Sequence, residues 1–316
     1  MTYGLLAAVV TLVAFTVVVL AVSFAVSGVA PIVARRLEGY SPASRAALLF
    51  QLRILPAAVA VLASLGGALP IFLFYEPRDT DETFPLTFVL LALAGLALVG
   101  RGIVRGILAW RRTSEVRQAW RERGRVLDGF DTPLPIYAIE EPYPTVAVVG
   151  VTRPVLFISE QVLRECSAEE VRVMVRHETA HVTVRDNLKR FVIRACPDAL
   201  GRSSLLDRAW SCAAEEAADA AAIAGRPASA VELAEALIHV ARLAPARTPA
   251  LASAFYLGGS IESRVRRLIA PGGERMVSTP ALSGLFGCAT LGTAGAMMTA
   301  APALHGLMEA LVQYLP

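Results

Sequence analysis

Ser167-Ala-Glu-Glu-Val-Arg-Val-Met-Val-Arg-His-Glu-Thr-Ala-His-Val182 is the stretch that decides how the polar part of this sequence folds. Ser167 with Glu170 three residues on is a capping-box pattern, in which hydroxyl and carboxylate each take an amide hydrogen that a helix start leaves unbonded. Val171, Met174, Val175 and Val182 then recur at helical spacing and supply an apolar stripe. On the helix so predicted, His177 and His181 stand one turn apart on the same face, close enough to hold one metal ion. Glu178 falls beside them, where a carboxylate can accept a proton from a metal-activated water and pass it to a leaving amine. Two histidines and a glutamate also meet on surface helices by chance, so the surrounding sequence has to decide between the two.

A catalytic zinc takes three protein ligands and keeps one position open, so a further donor is required. Glu215-Glu-Ala-Ala-Asp219 offers it, on a helix predicted from about Leu205 to Ala224 that Gly225 and Pro227 end. Glu215 and Asp219 are four apart and share a face, so one can reach the metal while the other holds a ligand imidazole by its second nitrogen. Glu216 is the rival ligand, and the bland alternative is a set of acids that merely solvate an Ala-rich helix. Upstream, Thr145-Val-Ala-Val-Val149 and Val155-Leu-Phe-Ile158 are apolar, mostly β-branched runs parted by Gly150, Arg153 and Pro154, and they read as a hairpin. A further helix is expected from Ser229 to Leu243.

Outside this polar middle the chain is too apolar for one soluble domain of average composition: 55% of its 316 residues are hydrophobic and 18% charged, with a mean hydropathy of +0.55. Four stretches can each cover the roughly 30 Å of a bilayer core, which takes about 20 helical residues. They run from about Leu5 to Ala34, Ile54 to Tyr75, Phe84 to Val99 with an extension toward Trp110, and Ala281 to Ala303. Arginines set the orientation, because short cytoplasmic loops retain positive charge. Arg35, Arg36, Arg45 and Arg53 follow the first span, and Arg111 to Arg125 follow the third; Arg264, Arg266, Arg267 and Arg275 precede the fourth, whereas the loop from Glu76 to Glu82 is acidic. The expected topology is an N-terminus outside, residues 1–110 forming three spans, a cytoplasmic domain over 111–280, and a fourth span with a short end over 281–316.

A net charge of +3 is too small to argue for direct nucleic-acid binding. Cys166, Cys196, Cys212 and Cys288 are widely spaced, so neither a disulfide framework nor a thiolate zinc site is expected. His239 and His305 have no partner at ligand spacing and are read as structural. Arg53 and Arg101 are expected to snorkel to lipid headgroups, and Trp110 and Trp120 to anchor at the interface.

Taken together, the sequence resembles the BlaR/MecR family of membrane-embedded gluzincin peptidases. The resemblance is carried by His177-Glu-Thr-Ala-His181 with Arg185-Asp186 after it, by the Glu215 to Asp219 element, and by three spans, a polar domain and a fourth span. It implies a mainly helical membrane protein with a small α+β zincin domain between the third and fourth spans. It also implies Zn2+ held by His177, His181 and Glu215, with Glu178 as the catalytic base and Asp219 and Asp186 behind the ligands. The activity implied is endoproteolysis of a protein substrate, a transcriptional repressor among the candidates, at the cytoplasmic membrane face. The strands around Gly150 and Pro154 are similar to the family's edge-strand region, where a substrate backbone would lie. The extracellular penicillin-binding domain of antibiotic-sensing members is not in this sequence, so β-lactam sensing by it is not expected. Ala218 stands where a cysteine is frequent, and there the sequence is more similar to HtpX-type quality-control peptidases. A catalytically silent membrane scaffold is the alternative from another class, against which Glu178 argues.

Overall fold

The computed structural model describes residues 3–77, 85–197, 199–200, 204–226, 228–243, 261–270 and 306. The chain is mostly helical, with a small mixed sheet. It begins with α1 (Tyr3–Arg36), α2 (Pro42–Ala63), a π-helical stretch over Ser64–Ala68, α3 (Leu69–Tyr75) and α4 (Leu86–Arg123). Among the described residues three helical units, Tyr3–Gly39, Pro42–Tyr75 and Leu86–Arg123, are long and apolar enough to cross a membrane. Helices are what such sequences must form in lipid, since every backbone donor and acceptor is then satisfied within the segment. The span expected from Ala281 to Ala303 lies outside the described residues.

Close packing brings α1 and α4 together at Gly95, where a Cβ would collide with Thr16 Oγ1 and the Leu12 carbonyl. Small residues allow this approach between membrane helices. Thr16 Oγ1 donates across the gap to Leu91 O at 3.0 Å. The start of the second span and the end of the third lie further out than hydropathy predicts. The second helix starts at Pro42, where Ser41 caps it, and α4 runs unbroken to Arg123, so the expected domain boundary at 110/111 falls inside a helix. Apolarity ends near Trp110, but the Arg, Glu, Gln and Ala that follow are strong helix formers and continue the helix into water.

Four strands follow: β1 (Arg125–Leu127), β2 (Ile136–Ile139), β3 (Val146–Val149) and β4 (Val155–Ser159). Their order is β1-β2-β4-β3, with β2 parallel to β4 and both outer pairs antiparallel, which leaves β3 as an edge. The expected β3/β4 hairpin is present, with Val149 opposite Val155 and Gly150 turning the chain at φ +118°. Further helices among the described residues are α5 (Glu160–Glu165), α6 (Ala168–Thr183), α7 (Asp186–Ala195), α8 (Ser204–Ile223), α9 (Ala228–Leu243) and α10 (Ile261–Ile269).

Two of the apolar clusters among the described residues hold this part against its surroundings. In one, Leu156 and Ile158 of β4 pack with Val173 and Met174 of α6 and Leu233 and Leu237 of α9; full burial of side chains of this size contributes about 1.5–3 kcal/mol each. In the other, Leu206, Trp210, Ala213 and Ala214 of α8 pack on Leu49 of α2 and Val26 and Ala30 of α1. The second cluster seats α8 directly on the ends of the first two membrane helices. Arg53 is part of that seam and does not snorkel: it is 4% exposed, donating to Asp207 Oδ1 at 2.7 Å and to Ile193 O at 3.2 Å. Trp120 likewise is no lipid anchor, because its indole N–H donates to Glu141 at 2.7 Å and its ring meets Phe157 edge-on. Trp110 stays exposed on α4, with one edge toward Phe191.

Candidate metal centre

The local fold of α6 explains where its histidines stand. Both halves of the capping box form: Ser167 Oγ accepts from Glu170 N, and Glu170 Oε2 accepts from Ser167 N at 2.6 Å. The valines and Met174 turn inward, and His177, Glu178 and His181 are buried with them. After Thr183 the chain reverses through Arg185, the non-glycine residue with positive φ among those described (φ 57°, ψ 41°). This left-handed residue starts α7 so that Asp186 returns to the preceding helix, its Oδ2 lying 2.8 Å from His181 Nδ1.

Helix α8 approaches from the other side. Asp219 Oδ1 is 2.9 Å from His177 Nδ1, and the Glu215 carboxylate is 3.4 Å from His177 Nε2 and 3.6 Å from His181 Nε2. The two Nε2 atoms are 3.2 Å apart, with their rings nearly perpendicular. Each imidazole thus turns Nδ1 to a carboxylate and Nε2 to a common point that Glu215 also faces. When Nδ1–H is donated to a carboxylate, Nε2 keeps its lone pair. Two lone pairs and a carboxylate converging within 4.8 Å of one another are the donor set that zinc takes.

Charge favours a cation at that point. Four carboxylates, Glu178, Asp186, Glu215 and Asp219, surround the imidazoles, whereas three basic side chains, Lys189, Arg190 and Arg264, touch the acids. Burial disfavours charging either ring, but the acids outweigh it: Asp219 and Glu215 raise the pKa of His177, and Asp186 and Glu215 raise that of His181 to about 10. Burial works against ionised Glu215 as well, yet both histidines hold its carboxyl well below the usual range. Glu178 goes the other way, because burial raises its pKa more than His181 and His177 lower it. Its Oε2 accepts from the N–H of Val148 on β3 at 3.0 Å, which places the carboxylate between the histidines and the edge strand.

Glu216 points elsewhere, pairing with Arg45 of α2 at 2.7 Å and Arg267 at 3.3 Å. Arg264, 1% exposed, donates from Nε and Nη2 to the two oxygens of Asp219 at 2.7 and 2.6 Å. It was legible only as one of a flank of arginines, since nothing in the spacing ties it to an acid 45 residues earlier. Arg190, which donates to Glu215 Oε1 at 2.9 Å, and Asn187, which donates to the Val148 and Gly150 carbonyls at 3.0 Å each, were also missed. His239 has a partner after all: its Nδ1 lies 3.2 Å from Glu170 Oε1, near Cys166, because α9 packs on the start of α6. His305 lies outside the described residues.

No protein-family profile matches the chain, and no curated protein matches it in sequence. Among solved structures it is similar to the crystal structure of S. mikatae Ste24p, at 14% identity and a TM-score of 0.32, over 70% of this chain and 64% of that one. The chain thus spans less than two thirds of that protein. The resemblance to the BlaR/MecR family rests on the motifs quoted for it.

Proposed function

We propose that this chain is a membrane-embedded zinc-dependent endopeptidase that cleaves a protein substrate at the membrane face bearing the sheet. His177, His181 and Glu215 hold the metal, Asp219 and Asp186 orient the two imidazoles, and Glu178 is the general base. The observation that carries this reading is the convergence of both Nε2 atoms and the Glu215 carboxylate on one point, with Glu178 between that point and the edge strand. Zinc bound there supplies Lewis-acid activation of water and of a peptide carbonyl. Glu178 accepts a proton from the attacking water, whose oxygen bonds to the carbonyl carbon. It then delivers that proton to the amine nitrogen as the C–N bond breaks.

The positive-inside pattern supports reading this as the cytoplasmic face. A transcriptional repressor as substrate is the regulatory form of the proposal, and turnover of damaged membrane proteins is the HtpX-like form. Glu178→Gln in the full-length protein tests the chemistry: zinc content should stay at the wild-type level while proteolysis is lost, and His177→Ala or His181→Ala should lose both. Wild-type cleavage by Glu178→Gln would refute the mechanism. Purified wild-type protein that takes up no zinc would favour the scaffold.

A further inference from the structure

A groove of about 1010 Å³ runs beside the centre just described, between α4 from Arg105 to Trp120, the edge strand β3 with its turn, and α7 from Asn187 to Arg194. That volume is at or above the upper limit for small-molecule sites, and its floor is a strand edge. The Val148 N–H is taken there by Glu178, and the Val148 and Gly150 carbonyls by Asn187, so side chains occupy positions that an added strand would use.

The groove has a membrane end and an aqueous end. Exposed apolar residues persist along α4 through Ile103, Val104, Ile107 and Leu108 to Trp110, and then Arg111 and Arg112 begin. At the Trp110 level and below it the neighbours of α4 are Phe191 and Ala195 of α7, Gly106 facing both residues and Gly102 the Ala195 carbonyl. Higher up, Arg117 donates to Arg153 O in the β3/β4 turn, and Trp120 donates to Glu141 just before β3. Strand β3 therefore runs toward the bilayer, its beginning near Trp120 and its Gly150 end nearer Trp110. Four arginines line the groove, Arg105, Arg112 and Arg194 toward the bilayer and Arg190 where it pairs with Glu215, whereas the acids Glu115 and Glu141 line it beyond Arg112.

Resting on the peptidase reading, we propose that this groove binds the segment of a membrane-anchored protein immediately following its transmembrane helix, with the anchor N-terminal to the bond that is cut. A strand added to β3 in the antiparallel sense, the more stable ladder, runs away from the bilayer in its N-to-C direction. The part nearest its anchor passes Arg105, Arg112 and Arg194 and is complementary when acidic. Such a strand displaces Asn187 and Glu178 from Val148, and so releases the carboxylate as the substrate arrives.

The test measures binding apart from turnover. Full-length Glu178→Gln protein in phosphatidylcholine vesicles, carrying a photo-crosslinker at Thr113 beside the groove, is offered three peptides of one soluble sequence that starts with acidic residues. One bears a hydrophobic helix of about 20 residues before that sequence, one bears it after, and one has none. The N-anchored peptide should crosslink at least tenfold better than the C-anchored one, with the unanchored peptide also weaker at equal bulk concentration. Arg112→Glu with Arg194→Glu should remove most of that signal, and lysines in place of the acidic residues should restore it. Equal crosslinking by both anchored peptides, or preference for the C-anchored one, overturns the proposal. The two readings fail separately: an N-anchored peptide that crosslinks but is not cut by wild type sinks the peptidase reading, whereas cutting of all three at one rate sinks this one.

Discussion

Glu215 and Glu216 are chemically identical neighbours that point different ways, Glu215 to His177 and His181 and Glu216 to Arg45 and Arg267, because adjacent helical residues project about 100° apart. Glu215→Ala should lose most zinc on metal analysis, and Asp219→Ala should cost about 10 to 100-fold in zinc affinity or activity, the usual effect of removing the acid behind a ligand histidine. Glu216→Ala should keep full zinc occupancy, but thermal unfolding should show a loss of about 1–3 kcal/mol, since Arg45 is left largely buried without its acceptor. Zinc loss in Glu216→Ala with normal occupancy in Glu215→Ala would reverse the assignment. The sequence carried the candidate ligands because their spacing is local: His177 and His181 are four positions apart, and so are Glu215 and Asp219. It did not carry Arg264 or Asn187, whose partners are set by how α10 and α7 dock, and an arginine beside an expected span reads first as a topology signal.

Elements with a self-contained signal were the readable ones. The capping box predicted the start of α6 and the Gly-Pro stop the end of α8 to within a residue, whereas the β1-β2-β4-β3 order depends on a parallel pairing between distant strands that no local pattern announces. Hydropathy misjudged the α2 and α4 ends because it reports lipid compatibility, while helix continuation depends on propensity and capping. The α6 to α7 reversal has a measurable weak point at Arg185. A β-branched residue tolerates the left-handed region poorly, so Arg185→Val should cost about 1–2 kcal/mol and Arg185→Gly much less. Because Asp186 follows at once, the valine variant should also lower zinc affinity, while Ser167→Ala, losing about 1 kcal/mol at the far end of α6, should leave it unchanged. Parallel denaturation and zinc titration distinguish the two, and a zinc defect in Ser167→Ala would show that the turn is not what sets the His181 ring.

At the scale of the whole molecule, the arginine-rich flanks and the acidic loop predict that cysteine labelling from outside intact cells reaches position 79 but not position 129; labelling at 129 would place the candidate centre on the opposite face. The relation between the membrane helices and the polar part is tighter than the expected division at residue 111 implies. Helix α8 carries Glu215 and Asp219, yet its buried Leu206, Trp210, Ala213 and Ala214 pack against α1 and α2. Arg45 to Glu216 and Arg53 to Asp207 pin α8 to α2 along the same seam. Cutting the chain at residue 111 therefore exposes an apolar face of α8 and removes Arg45 from Glu216 and Arg53 from Asp207. Trp210 alone is a side chain of the class that buries about 150–250 Å², and the helix losing that support presents the proposed third ligand. Residues 111–280 expressed alone should bind a fluorescent apolar dye, unfold without a cooperative transition, and hold zinc at least tenfold more weakly than the full chain in detergent. The seam contacts would be dispensable if that fragment proved monomeric, unfolded cooperatively and matched the full chain in zinc affinity, and residues 111–280 would then be a self-standing domain.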